Sequence, residues 1–327
     1  MSVKHLRGLL LLSPAFMLGG CNLVLLHPAG DVARQQSDLM IASVILMCLI
    51  IVPVLIAIGV IAWRYRATNK DAEYDPEWDH STMFELVVWA APLLIIIVLG
   101  AMTWIGTHQL DPYRSLTRID AGRAVAPDAQ PLEVEVVSLD WKWLFFYPKY
   151  GIATVNELAA PVDMPVHFKL TSTAMMNSFF IPSLAGQVYT MPGMQTVLNA
   201  VINQPGDFDG FSSNYSGHGF TDMRFRFLGM SQQKFDQWVA KVRADGGDLD
   251  TQAFDRLNQP SRAEPVHYYA RFDADLYHRI LNQCVDPGQM CMDKMMHIDA
   301  GRTAATHGDA MSDDPSMVAP AHDAATH

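Results

Sequence analysis

The sequence predicts a membrane-anchored all-β protein with two transmembrane helices, an exported β-sandwich and a short helical C-terminal extension. Half of the 327 residues are hydrophobic and only 17% are charged, whereas an ordinary soluble domain has about 25% charged residues. The apolar excess lies almost entirely in the first 107 residues. From residue 131 onward, short runs alternate apolar and polar residues, which is typical of half-buried strands.

The charge balance excludes one class of partner. The chain has 34 acidic and 23 basic residues, which gives a formal charge of −11, and it contains no stripe rich in Lys or Arg. A protein that binds nucleic acid needs a concentrated positive surface. We therefore expect no nucleic-acid partner.

The N-terminus has the three-part order of a secretory signal. A basic start, an apolar run and two glycines precede Cys21. The string Leu-Gly-Gly-Cys resembles a bacterial lipobox, which implies cleavage before Cys21 and attachment of lipid to its sulfur. We predict a lipoprotein signal peptide over residues 1–20 and an exported segment over residues 21–38. The alternative is an uncleaved anchor with an incidental cysteine.

Two later runs predict helices that cross a membrane. Residues 39–63 and 86–107 contain no charged side chain, and each run exceeds the ~20 residues that a spanning helix needs. Because the signal places Cys21 outside, residues 64–85 form a cytoplasmic loop and the chain is exported again after residue 107. The prediction is a multi-pass protein of the bacterial inner membrane, surrounded by lipid, with its C-terminal domain in the periplasm.

The exported part is predicted to be a β-sandwich over residues 108–230. Residues 132–137 (L-E-V-E-V-V), 166–170 (V-H-F-K-L) and 223–227 (M-R-F-R-F) alternate in polarity. Pro, Gly and Asn residues separate such runs and indicate turns. Several short strands within about 100 residues are typical of a sandwich.

A helical pattern follows the sandwich. Ser231 is a candidate N-cap, and apolar residues then recur on one helical face as far as Val242. A second helix is predicted from Thr251. We assign residues 231–285 to a helical extension and residues 286–327 to a disordered tail, because the tail is rich in Met and His and has little to bury.

Sulfur-containing residues are concentrated where the extension meets the tail. Cys284 and Cys291 lie close together in sequence, and several methionines and His297 lie beside them. A cysteine pair in an exported protein favours a disulfide. Thioethers, thiols and imidazole are also suitable ligands for copper, so both interpretations are open at this point.

Three segments carry a resemblance to a known family. Residues 140–148 read D-W-K-W-L-F-F-Y-P, and residues 176–182 read M-N-S-F-F-I-P. Residues 210–223 read G-F-S-S-N-Y-S-G-H-G-F-T-D-M. Together with the two preceding helices, these segments resemble subunit II of haem-copper respiratory oxidases. The resemblance implies that the sandwich is cupredoxin-like.

The resemblance also implies a copper loop that has lost its ligands. In cytochrome c oxidases the loop reads Cys-x-x-x-Cys-x-x-x-His-x-x-Met, and its thiolates and imidazoles hold two copper ions. In this chain Ser212 and Ser216 stand at the cysteine positions. Phe220 stands at the histidine position of the loop and Asn177 at that of the earlier segment, so only Met223 persists. We therefore expect no metal or other cofactor on this chain.

A loop of this spacing without its donors is similar to subunit 2 of cytochrome bo-type ubiquinol oxidases. That similarity implies a non-redox subunit II with no catalytic residue of its own. Its partners would be further small membrane subunits and a large subunit I, which holds haem and copper, oxidises ubiquinol, reduces oxygen and pumps protons. Glu85 matches the family's glutamate at the cytoplasmic entrance of a proton channel. A helix-start carboxylate favoured by the helix dipole is the alternative.

Two other functions are open to test. A copper-containing cytochrome c oxidase subunit II is opposed by the four substituted ligand positions. A membrane-tethered copper-binding lipoprotein would use the C-terminal Met, His and Cys residues, and it would purify without a large haem protein. Trp141 and Trp143 invite an electron-transfer interpretation, but without copper we predict that they pack the sandwich or its contact with the large subunit.

Overall fold

The structure, a computed structural model of the chain, describes residues 23–73, 75–286 and 288–300. The predicted signal peptide, the lipidation candidate Cys21 and residues 301–327 of the predicted tail lie outside the described residues. Within these ranges, two long helices precede a domain of two facing sheets and a C-terminal unit that packs on one of them.

The two helices are α1 (Asp31–Arg64) and α2 (Thr82–Gln109). Both are long and apolar enough to span a membrane, and their most apolar windows contain no buried residue. Pro53 and Pro92 lie inside them, which spanning helices tolerate. The predicted loop ends earlier than expected, because its residues 82–85 form the first turn of α2.

The N-terminal end of α1 packs on the β-sandwich. The helix begins well before the apolar run, and its first residues are buried. The N–H groups of Ala29 and Gly30 both donate to the Ser183 carbonyl at 2.9 Å. A Cβ atom on Gly30 would lie 2.5 Å from the Val201 carbonyl oxygen, so only glycine allows this approach. The helix is therefore fixed to the β-sandwich at its N-terminal end.

The strands are named here in chain order. They are β1 (Arg118–Asp120), β2 (Arg123–Ala124), β3 (Leu132–Leu139), β4 (Lys142–Tyr147), β5 (Ile152–Val155), β6 (Glu157–Pro161), β7 (Pro165–Ser172), β8 (Asn177–Phe180), β9 (Val188–Thr190), β10 (Thr196–Val201), β11 (Gly206–Ser212), β12 (Arg224–Met230), β13 (Gly247–Leu249) and β14 (His267–Phe272). One sheet has the order β10-β7-β3-β4-β5-β14-β13, and the other has the order β6-β12-β11-β8-β9. Strands β1 and β2 form a separate hairpin. This is the predicted sandwich.

An aromatic core joins the two sheets. Trp143 of β4 is fully buried and meets Phe179 of β8 and Phe225 of β12 edge-on, at centroid distances of 5.3 and 5.7 Å. Phe179 and Phe225 stack in parallel at 5.3 Å. Since Trp143 comes from the larger sheet and the two phenylalanines from the smaller one, these contacts hold the sheets face to face.

The extension over residues 231–285 is not wholly helical, and the prediction is corrected here. Helices α3 (Gln232–Asp245), α4 (Thr251–Asn258) and α5 (Leu276–Leu281) alternate with β13 and β14. Strand β14 pairs with β5 and thereby extends the larger sheet. Its residues read H-Y-Y-A-R-F and are mostly half-buried, so the alternation that predicts a strand is weak.

The start of α3 matches the prediction. The Ser231 hydroxyl accepts a hydrogen bond from the Lys234 N–H, and the apolar face through Val242 is buried. The predicted disordered tail needs a second correction, because residues 292–300 are helical. That helix follows a disulfide between Cys284 and Cys291. The covalent link supplies order that composition alone does not indicate.

A second apolar layer covers the outer face of the larger sheet. Leu139 and Phe146 of the sheet pack there with Phe254 of α4 and with Leu276 and Tyr277 of α5. Glu135 lies on the same strand as Leu139 and is half-buried. Burial raises the pKa of Glu135 to about 7, Lys169 opposes the shift, and Glu133 adds to it.

We expect the Glu135→Gln variant to be more stable than the wild type at pH 8 and nearly equal to it at pH 5. The folded-state pKa lies above the 4.5 of the unfolded group, so the wild type loses stability as the pH rises between these two values. Allowing for solvent screening, the gain at pH 8 is on the order of 1 kcal/mol. Denaturant unfolding at both pH values measures it. Glu133→Gln is the matched control and should not gain, because Glu133 pairs with Lys169 at 2.8 Å.

Candidate functional site

Three of the predicted ligand positions lie side by side at one end of the smaller sheet. Asn177 begins β8, Ser212 ends β11 and Met223 directly precedes β12. Strand β11 pairs with both β8 and β12, and the Ser212 N–H donates to the Met223 carbonyl at 3.2 Å. The sheet therefore brings together positions that are distant in sequence.

Two of these side chains are hydrogen-bonded to each other. The Ser212 hydroxyl lies 3.1 Å from the Asn177 Oδ1 atom and donates to it. The Ser178 N–H donates to the Ser212 hydroxyl at 3.4 Å, and the Asn177 amide donates to the Met175 carbonyl at 3.2 Å. Asn177 and Ser212 are each only 2% exposed. Their polar atoms thus have partners within the protein and need no ion.

The other two positions lie on the loop between β11 and β12. Ser216 is buried, and among the described residues its hydroxyl has no hydrogen-bond partner. Phe220 begins a 3₁₀ turn, Phe220–Asp222, and its ring packs 5.7 Å from the ring of Tyr215. The loop therefore presents a neutral hydroxyl and a phenyl ring.

Trp141 covers this loop. Its indole N–H donates to the Ser216 carbonyl at 3.0 Å, and its backbone has a φ of 66°, which is uncommon for a bulky residue. A Cβ atom on Gly219 would lie 2.3 Å from the indole ring. Gly219 is therefore needed for Trp141 to lie flat on the loop, and Trp141 has a packing role here.

These side chains do not fit a dinuclear copper site. An amide, two hydroxyls and a phenyl ring stand where thiolates and imidazoles are required, and the hydroxyls are not deprotonated at neutral pH. The thioether of Met223 is fully buried in the main core. Within residues 23–73, 75–286 and 288–300, no group of three or more His, Cys, Asp or Glu residues is arranged to hold a metal ion.

The Cys, Met and His residues near the C-terminus, which were the alternative candidates for copper binding, make other contacts in the fold. Cys284 and Cys291 are bonded to each other, so neither thiolate is free to bind a metal. The methyl group of Met292 lies against Gly193, where a Cβ atom would come within 2.4 Å of it. His278 pairs with Asp293 at 3.2 Å. These contacts attach the helix over residues 292–300 to the sandwich.

Glu85 lies in the first turn of α2, at the opposite end of the helix from the β-sandwich. Its side chain is about half exposed, and its Oε1 atom lies 2.7 Å from the Nδ1 atom of His80. Thr82 lies 3.2 Å from the other nitrogen of His80. Sequence reasoning missed His80, because His80 lies before the N-cap of α2, where no helical spacing relates it to Glu85. The N-terminal end of α2 thus has a carboxylate and an imidazole in contact.

Two family models match parts of the chain that follow the two helices. The model described as "Cytochrome C oxidase subunit II, periplasmic domain" matches residues 149–226, and the model described as "COX Aromatic Rich Motif" matches residues 243–288. The second match covers much of the extension that completes the larger sheet.

Similar proteins cover most of the chain. It is 46% identical over 279 residues to "Cytochrome bo(3) ubiquinol oxidase subunit 2" of Pseudomonas putida, which covers 85% of this chain and 86% of that protein. It is 46% identical over 272 residues to the protein of the same name from Pseudomonas aeruginosa, with 83% and 80% covered. It is 42% identical over 302 residues to "Ubiquinol oxidase subunit 2" of Acetobacter aceti, with 92% and 94% covered.

Proposed function

The chain belongs to the family of ubiquinol oxidase subunit 2 proteins, and from this premise we propose that it is the non-redox subunit II of a proton-pumping terminal oxidase. Ubiquinol is the electron donor of that complex and oxygen the acceptor, and haem and copper belong to the large subunit I. The observation that carries the proposal is the buried hydrogen bond between Ser212 and Asn177. An electron from a soluble cytochrome has no acceptor at this position, which favours a donor in the membrane, and the names of the similar proteins supply ubiquinol as that donor.

The exposed helices support a role in assembly. The two helices approach closely where a Cβ atom on Gly106 would lie 2.9 Å from the Leu39 side chain. Apolar side chains on the rest of both helices are largely exposed in the isolated chain. In the membrane, subunit I, the small subunits and lipid cover them. The signal sequence orients the chain in the inner membrane with its sandwich in the periplasm.

Copurification tests the assignment. The full chain, tagged at its C-terminus and extracted in mild detergent, should bring down a large membrane protein with a haem spectrum. If the chain purifies alone and carries copper, it is a copper-binding lipoprotein and the proposal is wrong. A strain in which the chain lacks residues 39–107 serves as the control, because it loses the apolar spans that would bind the large subunit but keeps the buried start of α1.

We assign Glu85 to the proton entrance of the complex. Its position at the cytoplasmic end of α2, its exposure to water and its contact with His80 support this role. A carboxylate at a membrane edge accepts protons from water, and the adjacent imidazole can supply them. The chain thereby serves the large subunit without carrying electrons.

We expect the Glu85→Gln variant to lower the turnover and the proton uptake of the assembled oxidase by about tenfold, which corresponds to about 1.4 kcal/mol in the barrier. The amide keeps the shape of the side chain but cannot carry a proton. Oxygen consumption and proton uptake in vesicles measure the effect. Glu77→Gln, in the same loop, is the control and should leave both rates unchanged. Unchanged rates in Glu85→Gln would contradict the role at the proton entrance and would indicate that Glu85 only stabilises the start of the helix through the helix dipole.

A further inference from the structure

A polar cavity of about 330 Å³ lies where the two spanning helices meet the exported domain. Its walls come from the outer end of α1, from residues 109–118 after α2, and from the sandwich at residues 186–188 and 198–199. None of the functions discussed above uses it. It lies between the two membrane-spanning helices on one side and the folded domain on the other.

The cavity opens at the depth of lipid headgroups. The apolar run of α1 begins at residue 39, so Gln35 lies about 6 Å and Asp31 about 12 Å outside the hydrocarbon, at 1.5 Å per residue. On α2 the apolar run ends at residue 107, and Gln109 also lines the cavity. The polar layer of one leaflet is about 5–8 Å thick. The part of the cavity near Gln35 and Gln109 therefore lies in the headgroup layer, and the part near Asp31 lies just outside that layer.

One guanidinium group in the cavity is held by a buried carboxylate. The Nε and Nη2 atoms of Arg118 donate to the two oxygens of Asp31 at 2.8 and 3.1 Å. Gln35 donates a third hydrogen bond to Asp31 at 2.8 Å, and Asp31 is only 2% exposed. A guanidinium has five N–H donors. Arg118 is thus fixed in place and has three donors without a partner among the described residues.

A second guanidinium group lines the same cavity. Arg114 is exposed and makes a single long hydrogen bond, 3.4 Å from its Nη1 atom to the His108 carbonyl. Asp111 lies beside it, and one oxygen of its carboxylate accepts a hydrogen bond from the Tyr113 N–H. The cavity therefore contains unused donors from two arginines and one carboxylate oxygen near its mouth.

We propose that this cavity binds the headgroup of a zwitterionic glycerophospholipid. Arg114 and Arg118 donate to the phosphate oxygens, as planar guanidinium groups do to phosphates. Asp111 accepts from the ammonium group, which favours phosphatidylethanolamine over phosphatidylglycerol. The apolar walls at Val32 and Leu110 contact the glycerol and the first methylene groups. The inference rests on the spanning helices and not on the proposed electron donor.

Native mass spectrometry of the full chain, with the partners that it retains in detergent, tests the proposal. The probes are phosphatidylethanolamine, phosphatidylglycerol and inorganic phosphate, each added after delipidation. The test variant is Arg114→Glu, which keeps the buried Asp31–Arg118 pair intact. Arg256→Glu on α4 is the matched control, since it makes the same charge change on an exposed surface far along the chain. Thermal unfolding of both variants verifies that they are folded.

We expect the wild type and Arg256→Glu to retain one phosphatidylethanolamine that Arg114→Glu loses. The wild type should retain at least several-fold less phosphatidylglycerol than phosphatidylethanolamine. The Asp111→Asn variant should show a smaller preference for phosphatidylethanolamine. Equal retention of the lipid by Arg114→Glu and the wild type contradicts the proposal. Displacement of the retained lipid by an equal concentration of inorganic phosphate also contradicts the proposal, because the cavity would then be a site for a free anion.

Discussion

The fourfold variant Asn177→His, Ser212→Cys, Ser216→Cys and Phe220→His is expected to bind about two copper ions per chain and to turn purple, because these donors suit a dinuclear site. The wild type is expected to bind none. The strands already place Asn177, Ser212 and Met223 together. Only the chemistry of the side chains is missing, so their replacement should restore binding without a change of fold.

The measurement is a copper count and an absorption spectrum of the full chain purified in detergent and reconstituted with copper. The matched control replaces Ser213 instead of Ser212 by cysteine, together with the other three substitutions. Ser213 is adjacent, but it lies beyond the end of β11 and its hydroxyl donates to Ser178 and Gln187 and not to Asn177. The control should bind no copper pair. A fourfold variant that remains folded but stays colourless would contradict the inference that the strands still hold the former ligand positions in the arrangement of a copper site.

Replacing Trp143 by alanine is expected to lower the free energy of unfolding of the exported domain by about 3–5 kcal/mol. The indole is fully buried and contacts Phe179 and Phe225 of the opposite sheet. Its removal leaves a cavity between the two sheets. Urea unfolding of the full chain in detergent, followed by circular dichroism, measures the change.

Trp143→Phe separates packing from electron transfer. The indole N–H is buried without a hydrogen-bond partner among the described residues, so phenylalanine removes an unsatisfied donor while it loses some contact area. We expect a cost under about 2 kcal/mol and unchanged quinol oxidation by the assembled complex. A folded Trp143→Phe complex without turnover would indicate that the indole carries electrons.

Local sequence patterns predicted those elements in which the apolar residues recur with the period of a strand or a helix and are buried. The alternation over residues 132–137 predicted β3, and the capping serine and apolar face predicted α3. The former ligand positions were predicted from the resemblance to the oxidase family. In contrast, the Ser212–Asn177 hydrogen bond joins residues 35 positions apart, and only the pairing of β8 with β11 creates it.

The elements that the sequence did not predict depend on distant contacts. Strand β14 is half-buried and forms because β5 offers an edge for it. The helix over residues 292–300 depends on the disulfide between Cys284 and Cys291 and on the fit of Met292 against Gly193. The cysteine pair indicated the disulfide, but the fit of Met292 against Gly193 has no local signature. A composition that resembles a disordered tail therefore gave the wrong prediction for residues 292–300.

The electron donor of the purified complex tests the central claim most directly. Oxygen consumption is measured with ubiquinol and, separately, with reduced cytochrome c as the donor, on the complex obtained through this chain. We predict that ubiquinol sustains oxygen consumption and that cytochrome c supports no more than the blank without enzyme. Rapid oxidation of cytochrome c, accompanied by copper bound to this chain, would contradict the account.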